Sequence, residues 1–99
     1  MIGVAVNVEG IRRFCERYGV RELSLFGSVV RSDFGPDSDI DVLVEFAAGR
    51  APSLFSFLDL QVELQTLLGR RVDLVSKRGL NPHLRDRILA AREVLYARP

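Results

Sequence analysis

The segment Asp39 to Phe46 reads DIDVLVEF, and few structures can accommodate it. Its β-branched residues favour a strand, whose period of two sends Ile40, Val42 and Val44 to one face and Asp39 and Asp41 to the other. A chain that contains it must bury the apolar face while two carboxylates converge on the opposite one. Two further runs read as strands. Glu22 to Phe26 ends in Gly27-Ser28, and Arg71 to Ser76 (RVDLVS) follows later in the chain.

Helical periodicity fills the intervals. Val8, Ile11, Phe14 and Tyr18 recur at spacings of three and four between charged residues, which predicts an amphipathic helix from Val8 to Tyr18 with Asn7 as N-cap and Gly19 as stop. Leu54 to Leu68 is dense enough in apolar residues for a largely buried helix, opened by Ser53 and closed by Gly69. Asn81-Pro82 starts a last helix, expected to reach about Ala97 with Leu84, Ile88, Ala91 and Leu95 on one face. A short helix over Ser28 to Ser32 completes the order αβ(α)βαβα. The expected fold is therefore a mixed α/β (α+β) protein with a small three-stranded sheet packed with helices. At 99 residues and 47% hydrophobic content, residues 1–99 are expected to form one small domain.

Charge excludes little. Fourteen basic against thirteen acidic residues leave a net charge of +1, so no overall field indicates nucleic acid or a membrane, and any such binding would be local. All the basic residues but Lys77 are arginine, a bias that base composition of the coding genome explains as well as phosphate recognition does. The single Cys15 cannot form an internal disulfide. Met1 to Val8 lack a basic leader and no stretch is long enough to span a bilayer, so a cytoplasmic protein is expected.

Chemistry concentrates between Gly27 and Asp41 (GSVVRSDFGPDSDID). Paired carboxylates suit Mg²⁺, a hard cation that takes oxygen ligands and shares its shell with substrate phosphates. Two such ions roughly 3.5 to 4 Å apart can stabilise both the attacking and the leaving oxygen of a phosphoryl displacement. Asp-X-Asp alone also serves to cap backbone where a loop enters a strand. Gly27 would let a phosphate approach the backbone, while the Ser28 hydroxyl and the Arg31 guanidinium could address the same anion.

Gly27-Ser28, ten residues, then Asp39 and Asp41 resembles the signature of the DNA polymerase β-like nucleotidyltransferases, in particular their minimal single-domain (MNT) branch. The order of segments is similar throughout, and NPHLRDRILAAREVLYA resembles the family's closing helix. Where many relatives carry Ala-Arg-Gly after Gly-Ser, this chain has Val30-Arg31-Ser32, which keeps the cation and loses the glycine. The resemblance implies two Mg²⁺ ions and ATP as substrate. It assigns catalysis and metal binding to Asp39, Asp41 and Asp73, and nucleotide binding to Gly27, Ser28, Arg31 and Ser38. Without it, Asp73 reads as an exposed aspartate on an edge strand, or as one paired with Arg71.

The resemblance also implies a partner, a HEPN-family ribonuclease toxin, with AMP transferred to a tyrosine hydroxyl and this chain acting as antitoxin. An alternative from a different class is a non-catalytic antitoxin that neutralises its partner by forming a complex. A homo- or hetero-oligomer is compatible with either. Asp33 and Asp37 read as turn formers beside Gly35 and Pro36. Lys77 and Arg78 read as a solvated loop or as contacts to a triphosphate. Glu45, His83 and Cys15 read as bystanders.

Overall fold

A computed structural model describes residues 7–30, 35 and 37–98. Helix α1 spans Val8–Tyr18, β1 Val20–Phe26, β2 Ile40–Phe46, α2 Leu54–Leu68, β3 Val72–Ser76, α3 Pro82–Ala91 and β4 Glu93–Ala97. The helix boundaries follow from local chemistry. Asn7 accepts a hydrogen bond from the Gly10 N–H at 2.9 Å, Ser53 accepts one from Ser56, and Asn81 accepts one from His83. Gly19 and Gly69 end α1 and α2 in the left-handed region, each at φ 69°.

The four strands form one sheet in the order β3-β2-β1-β4. β2 runs antiparallel to β1 and parallel to β3, with α2 as the crossover that a parallel pair requires. One face carries Leu23, Leu25, Ile40, Val42, Val44, Val72 and Leu74, which pack with Ile11, Phe14 and Cys15 of α1 and Leu60, Leu64 and Leu68 of α2. Val8, grouped by periodicity with the core positions, is instead 72% exposed at the start of α1. Cys15 is fully buried, and removal from water pushes its thiol pKa up to about 12.

The fourth strand corrects the expected architecture. The last helix stops at Ala91, and Glu93–Ala97 turns extended to pair antiparallel with β1, matching Leu23 with Tyr96 and Leu25 with Glu93. Leu95 therefore leaves the helical face assigned to it. Without this strand the outer edge of β1 would present unpaired backbone groups, and the ladder it forms outweighs the helical character of the segment. Arg92 secures the junction, with Nε 2.9 Å from the Glu22 carboxylate.

The opposite edge is managed by side chains. Gln65 and Gln61 of α2 accept hydrogen bonds from the Val72 and Leu74 amides of β3, each at 3.2 Å. α2 itself is apolar on more than its core side. Leu54, Phe55, Leu58 and Val62 form an outward stripe, with Phe55 80% exposed. The expectation of a largely buried helix thus holds only for its inner side.

Candidate active site

Antiparallel pairing of β1 with β2 and parallel pairing of β2 with β3 bring the end of β1 and the starts of β2 and β3 to the same end of the sheet. That geometry unites residues far apart in sequence. Phe26 lies opposite Asp41, and Asp41 lies opposite Asp73. Register partners share a face, so Asp41 and Asp73 project side by side on the face opposite the α1/α2 core. Asp41 is half-buried and Asp73 exposed on the edge strand.

Gly27 continues β1 into a short 3-10 turn over Gly27–Val30, with φ 73°. A Cβ built there would overlap the Asp41 carboxylate, its carbon lying 3.0 Å away. Glycine is therefore required for two reasons, the left-handed backbone and the carboxylate against it. Ser28 follows in the same turn. The helix expected over Ser28 to Ser32 is present as far as Val30, and Arg31, Ser32 and Asp33 lie outside the described residues.

Asp39 precedes the strand and points to Arg71, whose Nε lies 3.1 Å from Oδ1. Both side chains are at least half exposed, so the pair is worth at most about 1 kcal/mol. Arg71 thus pairs with Asp39 and not with Asp73. Ser38 closes a turn in which its hydroxyl accepts from the Gly35 N–H at 3.0 Å and its N–H donates to the Gly35 carbonyl at 3.1 Å. Its O–H remains a possible donor.

Arg70 is a residue that the sequence reading missed. Its guanidinium donates to the carbonyls of Gly35 at 2.9 Å and Ser38 at 3.0 Å, tying the turn before Asp39 to the start of β3. The signal was present in the Arg70-Arg71 pair ahead of β3, because parallel pairing sets the approach to β3 beside the approach to β2. Lys77 and Arg78, by contrast, lie at the opposite end of β3 from Asp73.

Beside the carboxylates a cleft of about 470 Å³ opens between Phe26, Gly27, Val30 and Asp41 on the sheet and Leu84, Arg87, Ile88 and Ala91 on α3. Leu84, Ile88 and Ala91 keep the shared face expected of them and spend it on this cleft. Among the described residues no group of three or more carboxylate, histidine or cysteine side chains forms a ready-made metal cage. The donor set still fits Mg²⁺, which characteristically takes one or two carboxylates and completes its shell with water and phosphate oxygens.

A model of the nucleotidyltransferase domain matches residues 9–95. The chain belongs to the nucleotidyltransferase family. Protein adenylyltransferase MntA of Thermococcus cleftensis is 48% identical to this nucleotidyltransferase over 81 residues, which cover 82% of this chain and 78% of the relative. A solved structure assigned as a minimal nucleotidyltransferase superposes with a TM-score of 0.72 at 42% identity, over 87% of this chain and 86% of the other. A complex of an MNT antitoxin with the tri-AMPylated HEPN toxin of Shewanella oneidensis gives a TM-score of 0.67 at 22% identity, over 93% and 71% of the two chains. This last likeness concerns the fold. The nucleotidyltransferase is thus of the minimal kind, and its chemistry is nucleotidyl transfer. No helix among the described residues is long and apolar enough to cross a membrane.

Proposed function

We propose that this nucleotidyltransferase moves AMP from ATP to a tyrosine hydroxyl of a HEPN-class ribonuclease and acts as that partner's antitoxin. The observation that carries the reading is the setting of Asp41, flanked by Gly27 on one side and Asp73 on the other at one end of the sheet. The relative from Thermococcus is named a protein adenylyltransferase, and the Shewanella complex pairs an MNT antitoxin with a tri-AMPylated HEPN toxin. Both support the assignment of nucleotide and acceptor.

Each residue has a role in this reading. Asp41 and Asp73, with Asp39 released from Arg71, hold Mg²⁺, which when bound offsets the negative charge of the triphosphate. Gly27 leaves the space beside its backbone to the Asp41 carboxylate, and Ser28, Ser38 and Arg31 donate hydrogen bonds to phosphate oxygens. Asp73, exposed on the edge strand, accepts the proton of the attacking hydroxyl. The tyrosine oxygen forms a bond to the α-phosphorus as the bond to the bridging oxygen of the β-phosphate breaks, and pyrophosphate leaves. The apolar cleft beneath α3 suits a nucleobase.

Residues 1–99 form one minimal domain in this reading, so the partner supplies the acceptor. The outward stripe of α2 supports an assembled state, since contiguous apolar surface of this kind marks interfaces. A cytoplasmic setting follows from the pairing with an intracellular ribonuclease.

Incubation with the HEPN partner, ATP and Mg²⁺ tests the proposal by the mass of the partner. One or more added AMP units are expected, absent with Asp39→Asn/Asp41→Asn. A partner that gains no mass yet is silenced equally by both forms would establish a non-catalytic binding module instead.

A further inference from the structure

At the other end of the same sheet, where β2 and β3 finish, a larger cleft of about 650 Å³ opens. Its lining is strongly cationic. Arg21 enters from the start of β1, Lys77 and Arg78 from the turn after β3, and Arg85 from α3. Glu45 is the only acid in the lining, and it is engaged by Lys77 at 3.3 Å with both side chains partly buried. Among the described residues, Arg21, Arg78 and Arg85 have no carboxylate within ion-pair distance.

The asymmetry is unusual for a chain of net charge +1. Three guanidiniums line one concavity without a carboxylate partner, on a frame fixed by strand ends and by the half-buried Lys77–Glu45 pair. All three side chains are exposed and open to a ligand, and planar guanidinium donors match phosphate oxygens in pairs. The cleft is also distinct from the carboxylate site. Asp41 and Glu45 lie on one strand and one face four residues apart, about 13 Å at the rise of an extended chain. α3 lies between the two clefts, giving Arg85 to one and Arg87 to the other.

We propose that this basic cleft is a binding site for a chain of phosphates, a phosphodiester or phosphoanhydride polymer held through Arg21, Arg78 and Arg85. A single phosphate would engage only part of a cleft of this volume, whereas successive phosphates satisfy the separate guanidiniums together. The site does not depend on the proposed AMP transfer, because none of its residues belongs to the carboxylate end.

The test titrates the protein, without Mg²⁺ so that the carboxylate end does not contribute, with inorganic tripolyphosphate and with a short single-stranded oligoadenylate. Wild type, Arg78→Ala/Arg85→Ala and a charge-matched control, Arg12→Ala/Arg13→Ala on exposed α1, are compared by calorimetry. Backbone amide shifts locate the ligand. The site variant is expected to bind at least about tenfold more weakly while the control stays within about twofold. Shifts are expected at Ser76, Lys77 and Arg78, and affinity should fall with added salt. Binding of tripolyphosphate alone would identify a free polyphosphate ligand, and binding of both a nucleic-acid chain. Equal weakening in the control, unchanged affinity in the site variant, or shifts confined to Gly27 and Ser28 would overturn the proposal. Transfer activity can fail or persist independently of each result.

Discussion

Gly27 and Asp41 are in such close contact that a methyl group on the glycine would occupy the space of the carboxylate. The strand pairing that sets Phe26 opposite Asp41 delivers the next residue against that acid, and φ 73° keeps the backbone compact there.

Gly27→Ala is therefore expected to fail twice. Forcing a side chain into the left-handed region costs about 1 kcal/mol, and displacing Asp41 adds to it. Thermal unfolding should show a lower Tm. AMP transfer should fall by roughly two orders of magnitude, beyond what the lost stability explains, because misplacing a reacting group by an ångström costs that much.

Arg70 acts on Asp39 through the chain that leads to it. Arg70→Met removes two charge-assisted hydrogen bonds to the carbonyls of Gly35 and Ser38. A stability loss of about 1–3 kcal/mol is expected in chemical denaturation. Both bonds leave one nitrogen, Nη2, which a lysine ammonium on its shorter, flexible stem reaches less firmly, so Arg70→Lys should recover only part of the loss. An Arg70→Met protein as stable as wild type would remove Arg70 from this positioning role.

The two glutamines on α2 are expected to matter for the edge of the sheet. Gln61→Ala and Gln65→Ala each leave a β3 amide, Leu74 or Val72, without its partner, at a cost of about 1 kcal/mol apiece. Hydrogen exchange should accelerate at those two amides specifically. The double variant should also aggregate more readily, as an exposed strand edge invites pairing with another chain.

Cys15 connects burial to alkaline stability. Its folded pKa of about 12 lies above the ordinary thiol value of 9.0, so the fold favours the neutral thiol. This contribution is fully present below about pH 9 and is lost as pH rises from there toward 12. Tyr18, whose hydroxyl donates to Glu63 at 2.8 Å, has its pKa raised chiefly by that hydrogen bond and weakens in the same direction. Denaturation across the alkaline range should show stability declining above about pH 9, and Cys15→Ala should flatten the onset of that decline. Thiol reagents at neutral pH should leave the native protein unmodified.

Much of the fold was legible because its signals are local. Asn7, Gly19, Ser53 and Gly69 act where they were expected, since a cap is decided by the residue and its neighbours within one turn. β4 was not legible. The segment EVLYA continues a helical pattern, and only the vacant edge of β1, 70 residues away at the Glu22–Arg92 pair, makes it a strand. Burial on α2 was misjudged for a related reason: apolar composition shows that Phe55 and Val62 avoid water, but not whether this chain or another covers them.

The candidate site divides in the same way. Strand periodicity predicts Asp39 and Asp41 on one face, but Asp39 precedes β2 and its carboxylate is drawn to Arg71. Their relation to Asp73 depends on the register of a parallel pair, which α2 sets through tertiary packing. The Arg70-Arg71 pair marks the approach to β3, but the partners of Arg70 follow only from that register, because they belong to a turn 32 to 35 residues earlier.

Nucleotidyl transfer at the carboxylate end is read out by the fate of a labelled phosphate. With a HEPN partner and Mg²⁺ present, ATP labelled at the α-phosphate should transfer its label to the partner, while ATP labelled at the γ-phosphate should release it as pyrophosphate. Asp41→Asn should abolish the α-label transfer. Transfer of the γ-label, or α-label transfer that survives Asp41→Asn, would contradict the account.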